Sequence, residues 1–220
     1  MSITTRTVES RDTAAYGGLV DATGGIATVA LAICGLAAIN PQLMTAIATI
    51  VLGVSLMIQG GTVLSDYAQV SVPTEASSAQ LGGSGLVALF LAGAAGIVLG
   101  VLGILGVHTT VLSAIAMISF GVGLLLSSNS LWIVYAVRRS AVATSARLSR
   151  EMLANEIASG SAGIQALAGI AAIVLGLIAL AGHENDLTVN LAALVAVGGA
   201  LVLTGSSLSA TVLGLMREPS

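Results

Sequence analysis

Residues 81–137 read LGGSGLVALFLAGAAGIVLGVLGILGVHTTVLSAIAMISFGVGLLLSSNSLWIVYAV, with no Asp, Glu, Lys or Arg among them. A helix rises about 1.5 Å per residue, so crossing some 30 Å of hydrocarbon takes about 20 residues. This stretch is long enough to cross twice. The break falls at Val107-His108-Thr109-Thr110, where turn chemistry predicts it, so the segment reads as two antiparallel spans at 86–107 and 111–137.

The same reading extends in both directions. Charged residues are absent from 22–65, 76–137, 157–183 and 187–216. The first gap holds two spans, 22–39 and 43–65, parted at Asn40-Pro41, where the proline disfavours helix at Asn40. The last two gaps hold one span each, 161–181 and 188–214, parted at His183-Glu184-Asn185-Asp186. The expected fold is an all-α integral membrane protein, 1–220 a single membrane domain with six transmembrane helices in three hairpins. Composition agrees: the chain is 56% apolar and 8% charged, against about a quarter charged in soluble domains. Its mean hydropathy is +1.03. With 27 glycines and 3% aromatics, its apolar surface is small-residue surface, suited to close helix approach.

The hairpins resemble one another. First helices read GGIATVALAICG from Gly24, AGAAGIVLGVLG from Ala92 and AGIAAIVLGLIA from Ala168, at offsets of 68 and 76. Second helices read IATIVLGVSLMIQGGTVL from Ile47, IAMISFGVGLLLSSNSLW from Ile115 and AALVAVGGALVLTGSSLS from Ala192, at offsets of 68 and 77. Gly25, Gly93 and Gly169 align, as do Gly53, Gly121 and Gly198. Glycine inside a helix has a conformational cost, so close backbone contact is its expected reason there. Gly96 and Gly100 form a G-x-x-x-G that reads as a further contact face rather than a phosphate loop. Repeat units of about 16–70, 84–137 and 160–215 would enter the membrane from the same side, parallel repeats around a pseudo-three-fold axis.

Orientation follows from the basic residues. All seven are arginines, and all fall in the N-terminal segment, the 138–150 connection or the C-terminal tail, never in a hairpin loop. The positive-inside rule then puts both termini in the cytoplasm. Tyr16, Tyr67, Trp132 and Tyr135 gather on that side, as interfacial rings do. A net charge of −3 provides no basic field for nucleic acid, and a single cysteine, Cys34, excludes an intrachain disulfide. Cys34 reads as a small buried apolar residue.

The stretch LAAINPQLMTAIATIVLGVSLMIQGGTVL, Leu36 to Leu64, resembles the repeat of the HdeD family of small bacterial inner-membrane proteins. The likeness lies in an apolar helix ending near a proline turn, then one with glycines placed as Gly53 and Gly60-Gly61 are. Only the first unit keeps the proline, Pro41. The resemblance implies about six spans built from hairpins, a bacterial inner-membrane location and an association with acid stress. It supplies packing positions and transfers no functional residue.

No nucleophile and base pair, zinc motif or phosphate-binding loop occurs in a usable context, so the chain reads as non-enzymatic, with no metal or cofactor. The expected partners are the bilayer and either further copies of the chain or another protein. The recurring polar blocks are Gln59-Gly60-Gly61-Thr62, Ser127-Ser128-Asn129-Ser130 and Thr204-Gly205-Ser206-Ser207, near the cytoplasmic ends of the second helices. Gln59, Ser127, Asn129, Thr204 and Ser206 are candidate members of a polar ring able to bind water or a small solute. The alternative is that they bond to backbone carbonyls or across helices at the membrane edge. None is ionisable, and the outward halves of these helices read as almost wholly apolar. His108 and His183 are candidate acid-sensing groups on the outward loops, or simply solvated loop residues. Residues 138–159 lack Gly and Pro, and Val142, Ala146, Leu148, Met152, Leu153 and Ile157 recur near helical spacing. This predicts a cytoplasmic amphipathic helix that continues the fourth span.

Overall fold

The computed structural model describes the backbone of residues 3–70, 76–142, 148–182 and 186–216, with side-chain surroundings for 19–61, 85, 87–128, 163–182 and 186–206. It contains six helices: α1 (Ile3–Leu36), α2 (Pro41–Val70), α3 (Ala76–Ile104), α4 (Thr109–Val142), α5 (Leu148–Leu180) and α6 (Asp186–Met216). Each carries a segment long and apolar enough to cross a bilayer. The chain is therefore an all-helical, multi-pass membrane protein. The helices run past the expected spans, because charged residues end a hydrophobic span without ending a helix. Of the 138–159 stretch, residues 138–142 complete α4 and 148–159 open α5. Its side chains lie outside the described residues, as do those of Tyr16, Tyr67, Trp132, Tyr135 and the arginines.

Turn chemistry sets the hairpin tips. α1 ends with Ala38 in the left-handed region (φ 63°), where the amide of Ile39 donates to the Cys34 carbonyl (3.2 Å) and that of Ala38 to Gly35 (3.1 Å). These two bonds satisfy carbonyls the helix end would otherwise strand. Asn40 is also left-handed (φ 44°), a conformation its short polar side chain tolerates, and Pro41 takes the first helical position, where no amide is needed. α3 closes in the same way with Gly106 (φ 81°), and the Val107 amide reaches Leu102 (3.2 Å). There the Thr109 hydroxyl donates back to the Gly103 carbonyl (3.0 Å), tying the start of α4 to the end of α3. α5 ends before Gly182 (φ 75°); residues 183–185 of that tip lie outside the described residues.

Every helix packs on its neighbour in sequence, and α1 packs on α6, so the six close into a ring. α2, α4 and α6 also meet one another and form its centre, while α1, α3 and α5 stand outside them. Three tight seams join the hairpins. A Cβ on Gly53 of α2 would lie 2.7 Å from the Gly93 carbonyl oxygen of α3; one on Gly121 of α4 would lie 2.5 Å from that of Gly169 of α5. On Gly25 of α1 it would lie 2.6 Å from that of Gly198 of α6. These are backbone-to-backbone approaches that no larger residue permits. In hydrocarbon, where burial of apolar surface gives helices no reason to associate, such dense contact is what holds them.

Candidate functional site

Between the central helices the side chains are apolar in mid-membrane and polar toward both ends. Leu52 and Leu56 of α2, Phe120 and Leu124 of α4, and Val197 and Leu201 of α6 are each at most 1% exposed and belong to one continuous core. The Phe120 ring fills the space that a Cβ on Gly96 of α3 would occupy, which gives Gly96 its place in packing. Gly100 does the same for α2, where a Cβ would meet Ile50 and the Ala46 carbonyl. Together Leu52, Leu56, Phe120, Leu124, Val197 and Leu201 form a buried apolar layer of the core, a plug between the two polar ends.

At the end formed by the polar blocks, Ser127 and Thr204 are buried and Gln59 half-buried. The Thr204 hydroxyl donates to the carbonyls of Ala200 (3.0 Å) and Leu201 (3.1 Å) on its own helix. Ser128 does the same to Leu125 (2.8 Å). Ser206 is exposed and donates to Leu203 (3.0 Å), so it faces away from the central helices. The Asn129 side chain lies outside the described residues. The hydroxyls thus spend their protons on backbone carbonyls and present lone pairs outward.

The opposite end is not wholly apolar. Thr45 of α2, Ser113 of α4 and Asn190 of α6 are all buried, at 0%, 4% and 0% exposure. Asn190 donates through Nδ2 to the Thr110 carbonyl and to Ser113 Oγ, both at 2.9 Å, which bonds α6 to α4. Thr45 donates to the Pro41 carbonyl (2.7 Å). Sequence reasoning missed this cluster because Thr and Ser hardly interrupt an apolar run. The signal was present, since the offsets that align the glycines also align these three residues.

A second omission is Asp21. It borders the first charge-free gap and so reads as a residue outside the span, yet it is 1% exposed and Oδ1 has no hydrogen-bond partner. His108 is exposed at the tip of the α3–α4 hairpin in a left-handed conformation (φ 38°), its carbonyl accepting from the amides of Val111 (3.0 Å) and Leu112 (3.1 Å). His183 lies outside the described residues. Cys34 is half-buried with a free thiol.

On the outer wall, α1 and α5 stand apart over α6 and leave an apolar groove of about 860 Å³. Ile26 and Ile33 form one wall and Leu167 and Ala171 the other, with Ala196 and Gly199 on the floor. No protein-family model, curated protein or solved structure matches the chain.

Proposed function

We propose that this chain is a non-enzymatic bacterial inner-membrane protein, similar to the HdeD family and associated with stress, that acts as a structural or partner-binding element. In this reading its three hairpins are repeats around a pseudo-three-fold axis along the membrane normal, with both termini cytoplasmic. The three glycine seams, each joining one hairpin to the next, support the repeat. The functional reading is carried by the plug of Leu52, Leu56, Phe120, Leu124, Val197 and Leu201, because a channel needs a wettable path and a scaffold needs none. The groove over α6 is a natural place for an apolar transmembrane segment, which the partner-binding half of the reading requires. Membership in a larger complex is the same reading with a permanent partner, and would appear as stoichiometric co-purification with one other chain.

The runner-up is a passive channel or facilitator. It is favoured by the polar clusters at the two ends of the central helices, with the plug as its closed gate. Proton and small-ion flux across liposomes holding the purified protein, at neutral and acidic external pH, separates the two. The scaffold reading expects tight liposomes under both conditions. Flux that disappears when Gln59, Ser127 and Thr204 are changed to leucine would sink it and establish the polar ring as a pore.

A further inference from the structure

Asp21 is a carboxyl group inside a span, in the segment Leu19–Leu36, and it is sealed from solvent and lipid by the protein around it. An ionisable residue so placed marks an ion or proton site unless a counter-charge accounts for it.

Its neighbours follow from the register. In the antiparallel pair α1 and α2, Gly24 lies against Ser55 and Gly35 against Met44; in the pair α1 and α6, Gly25 lies against Gly198 and Val202. One turn toward the start of α1, Asp21 is therefore level with Ile58 and Gln59 of α2 and with residues 204–206 of α6. None of these is ionisable. Along α1 the nearest arginine is Arg11, ten residues or about 15 Å away; α6 carries no charged residue from Leu187 to Met216, and on α2 the next charge is an acid, Asp66, about 10 Å beyond Gln59. No counter-charge on these helices is level with the carboxyl.

The hydroxyls of the neighbouring central helices spend their protons on backbone carbonyls. Ser55 donates its hydroxyl proton to the Val51 carbonyl (3.0 Å), and Thr204 to Ala200 and Leu201. A hydroxyl that donates in this way keeps oxygen lone pairs for accepting. A buried carboxylate among such oxygens lacks a positive charge. Among the described residues no three of His, Cys, Asp and Glu gather as metal ligands, so the ligand set is one charge with neutral oxygens, which suits a monovalent ion.

We propose that Asp21 is the anionic ligand of a site for one small monovalent cation, a sodium ion or a proton, set where α1 meets α2 and α6, with the hydroxyl oxygens of Ser55 and Thr204 as neutral ligands. The cation cancels a charge that the membrane interior rejects and fastens the first outer helix to two central ones. The site belongs to the first hairpin alone, because the repeat alignment puts Leu89 and Gln165 at the equivalent positions. This inference concerns binding and is independent of whether the chain conducts anything.

The test is the unfolding equilibrium of the purified full-length protein in proteoliposomes. In one arm sodium replaces choline at constant ionic strength and neutral pH; in the other, pH is lowered in choline alone. Asp21→Asn and Asp21→Leu run beside the wild type, the second chosen because Leu89 fills the corresponding place in the next hairpin. With a sodium site, the wild-type ratio of folded to unfolded protein rises about tenfold per tenfold increase in sodium above the dissociation constant, and both variants are flat. If sodium has no effect but acid raises the ratio more in the wild type than in either variant, the occupant is the proton. A wild type that responds to neither, or variants that respond as the wild type does, overturns the proposal. If one variant fails to fold the other supplies the comparison, and a wild type that responds to neither ion overturns the proposal by itself.

Discussion

The central helices and the outer helices are about equally apolar, yet they are buried to different extents and differ in how many polar residues they bury. Half of each membrane-crossing segment of α2, α4 and α6 is buried, against 28%, 28% and 33% for α1, α3 and α5. Among the described residues, the buried polar side chains Thr45, Thr49, Ser55, Thr109, Ser113, Ser127, Ser128, Asn190 and Thr204 lie on central helices, and Asp21, Thr28 and Gln165 on outer ones. The outer helices turn more of their large apolar residues outward, among them Ile26 and Ile33 on α1, Leu91 and Val98 on α3, Leu167 and Leu177 on α5. Water sorts residues by driving the apolar ones inside; hydrocarbon has no such preference and instead drives hydrogen-bonding groups toward partners in the protein. Polarity, not apolarity, therefore marks the inside of this bundle. What packs it is shape.

The sharpest challenge to that contrast is Phe120→Ala. The ring is fully buried against Gly96, so its removal leaves a cavity in the plug and should lower unfolding free energy by about 3 kcal/mol. Leu167→Ala, at a side chain 70% exposed to lipid, should change it by less than about 0.5 kcal/mol. Denaturant titration of both in mixed micelles measures the difference. Equal losses would show that burial in this bundle carries no special weight.

A smaller effect is expected at the seams. Gly121→Ala places a methyl 2.5 Å from the Gly169 carbonyl oxygen, where relief requires the backbones to part, at about 2 kcal/mol. Gly163→Ala meets nothing within 4 Å and should be neutral or stabilising by up to about 1 kcal/mol, since alanine is the better helix former. If the two alanines behaved alike, the seams would be incidental contacts. Below these comes Asn190→Leu, which removes the bonds from α6 to Thr110 and Ser113. Polar contacts between membrane helices are typically modest, so a loss of about 1 kcal/mol is expected, read by the same titration.

Charge read along the chain locates spans well, because a single ionised side chain is costly in hydrocarbon and its absence over 20 residues is informative. The tips were legible for a similar reason: Pro41 and the polar run at 107–110 leave the backbone few alternatives. The two aligned sets, Gly25, Gly93 and Gly169 and then Gly53, Gly121 and Gly198, were legible as packing positions, and the fold joins each glycine of one set directly to one of the other. Which helices take the centre was not legible, because hydropathy is nearly uniform around each helix and long-range contacts decide the matter. Asp21 was misplaced because charge counting treats the residue bordering a run as outside it, whereas burial depends on the neighbouring helices. Thr45, Ser113 and Asn190 were passed over because each alone is a minor interruption. Their significance lies in sharing one level across three helices.

The smallest expected effect on stability tests the outer surface itself. Val54 and Val122 stand at the places in α2 and α4 that align with Gly199 in α6, so a side chain at this position is compatible with the helix in two hairpins of three. Gly199 has nothing within 4 Å of where its Cβ would be, and it floors the groove between α1 and α5. Gly199→Leu should therefore change unfolding free energy by less than about 0.5 kcal/mol in detergent, because the new side chain enters space the protein does not use. In native membranes the same substitution reports on what lies in the groove. If an apolar segment of another chain sits there, cross-linking from Leu167→Cys in a Cys34→Ser background gives one defined adduct, and Gly199→Leu abolishes it. An adduct that survives the leucine, or its absence in both proteins, would make the groove ordinary lipid-facing surface, and the contrast between central and outer helices would then hold around the whole ring.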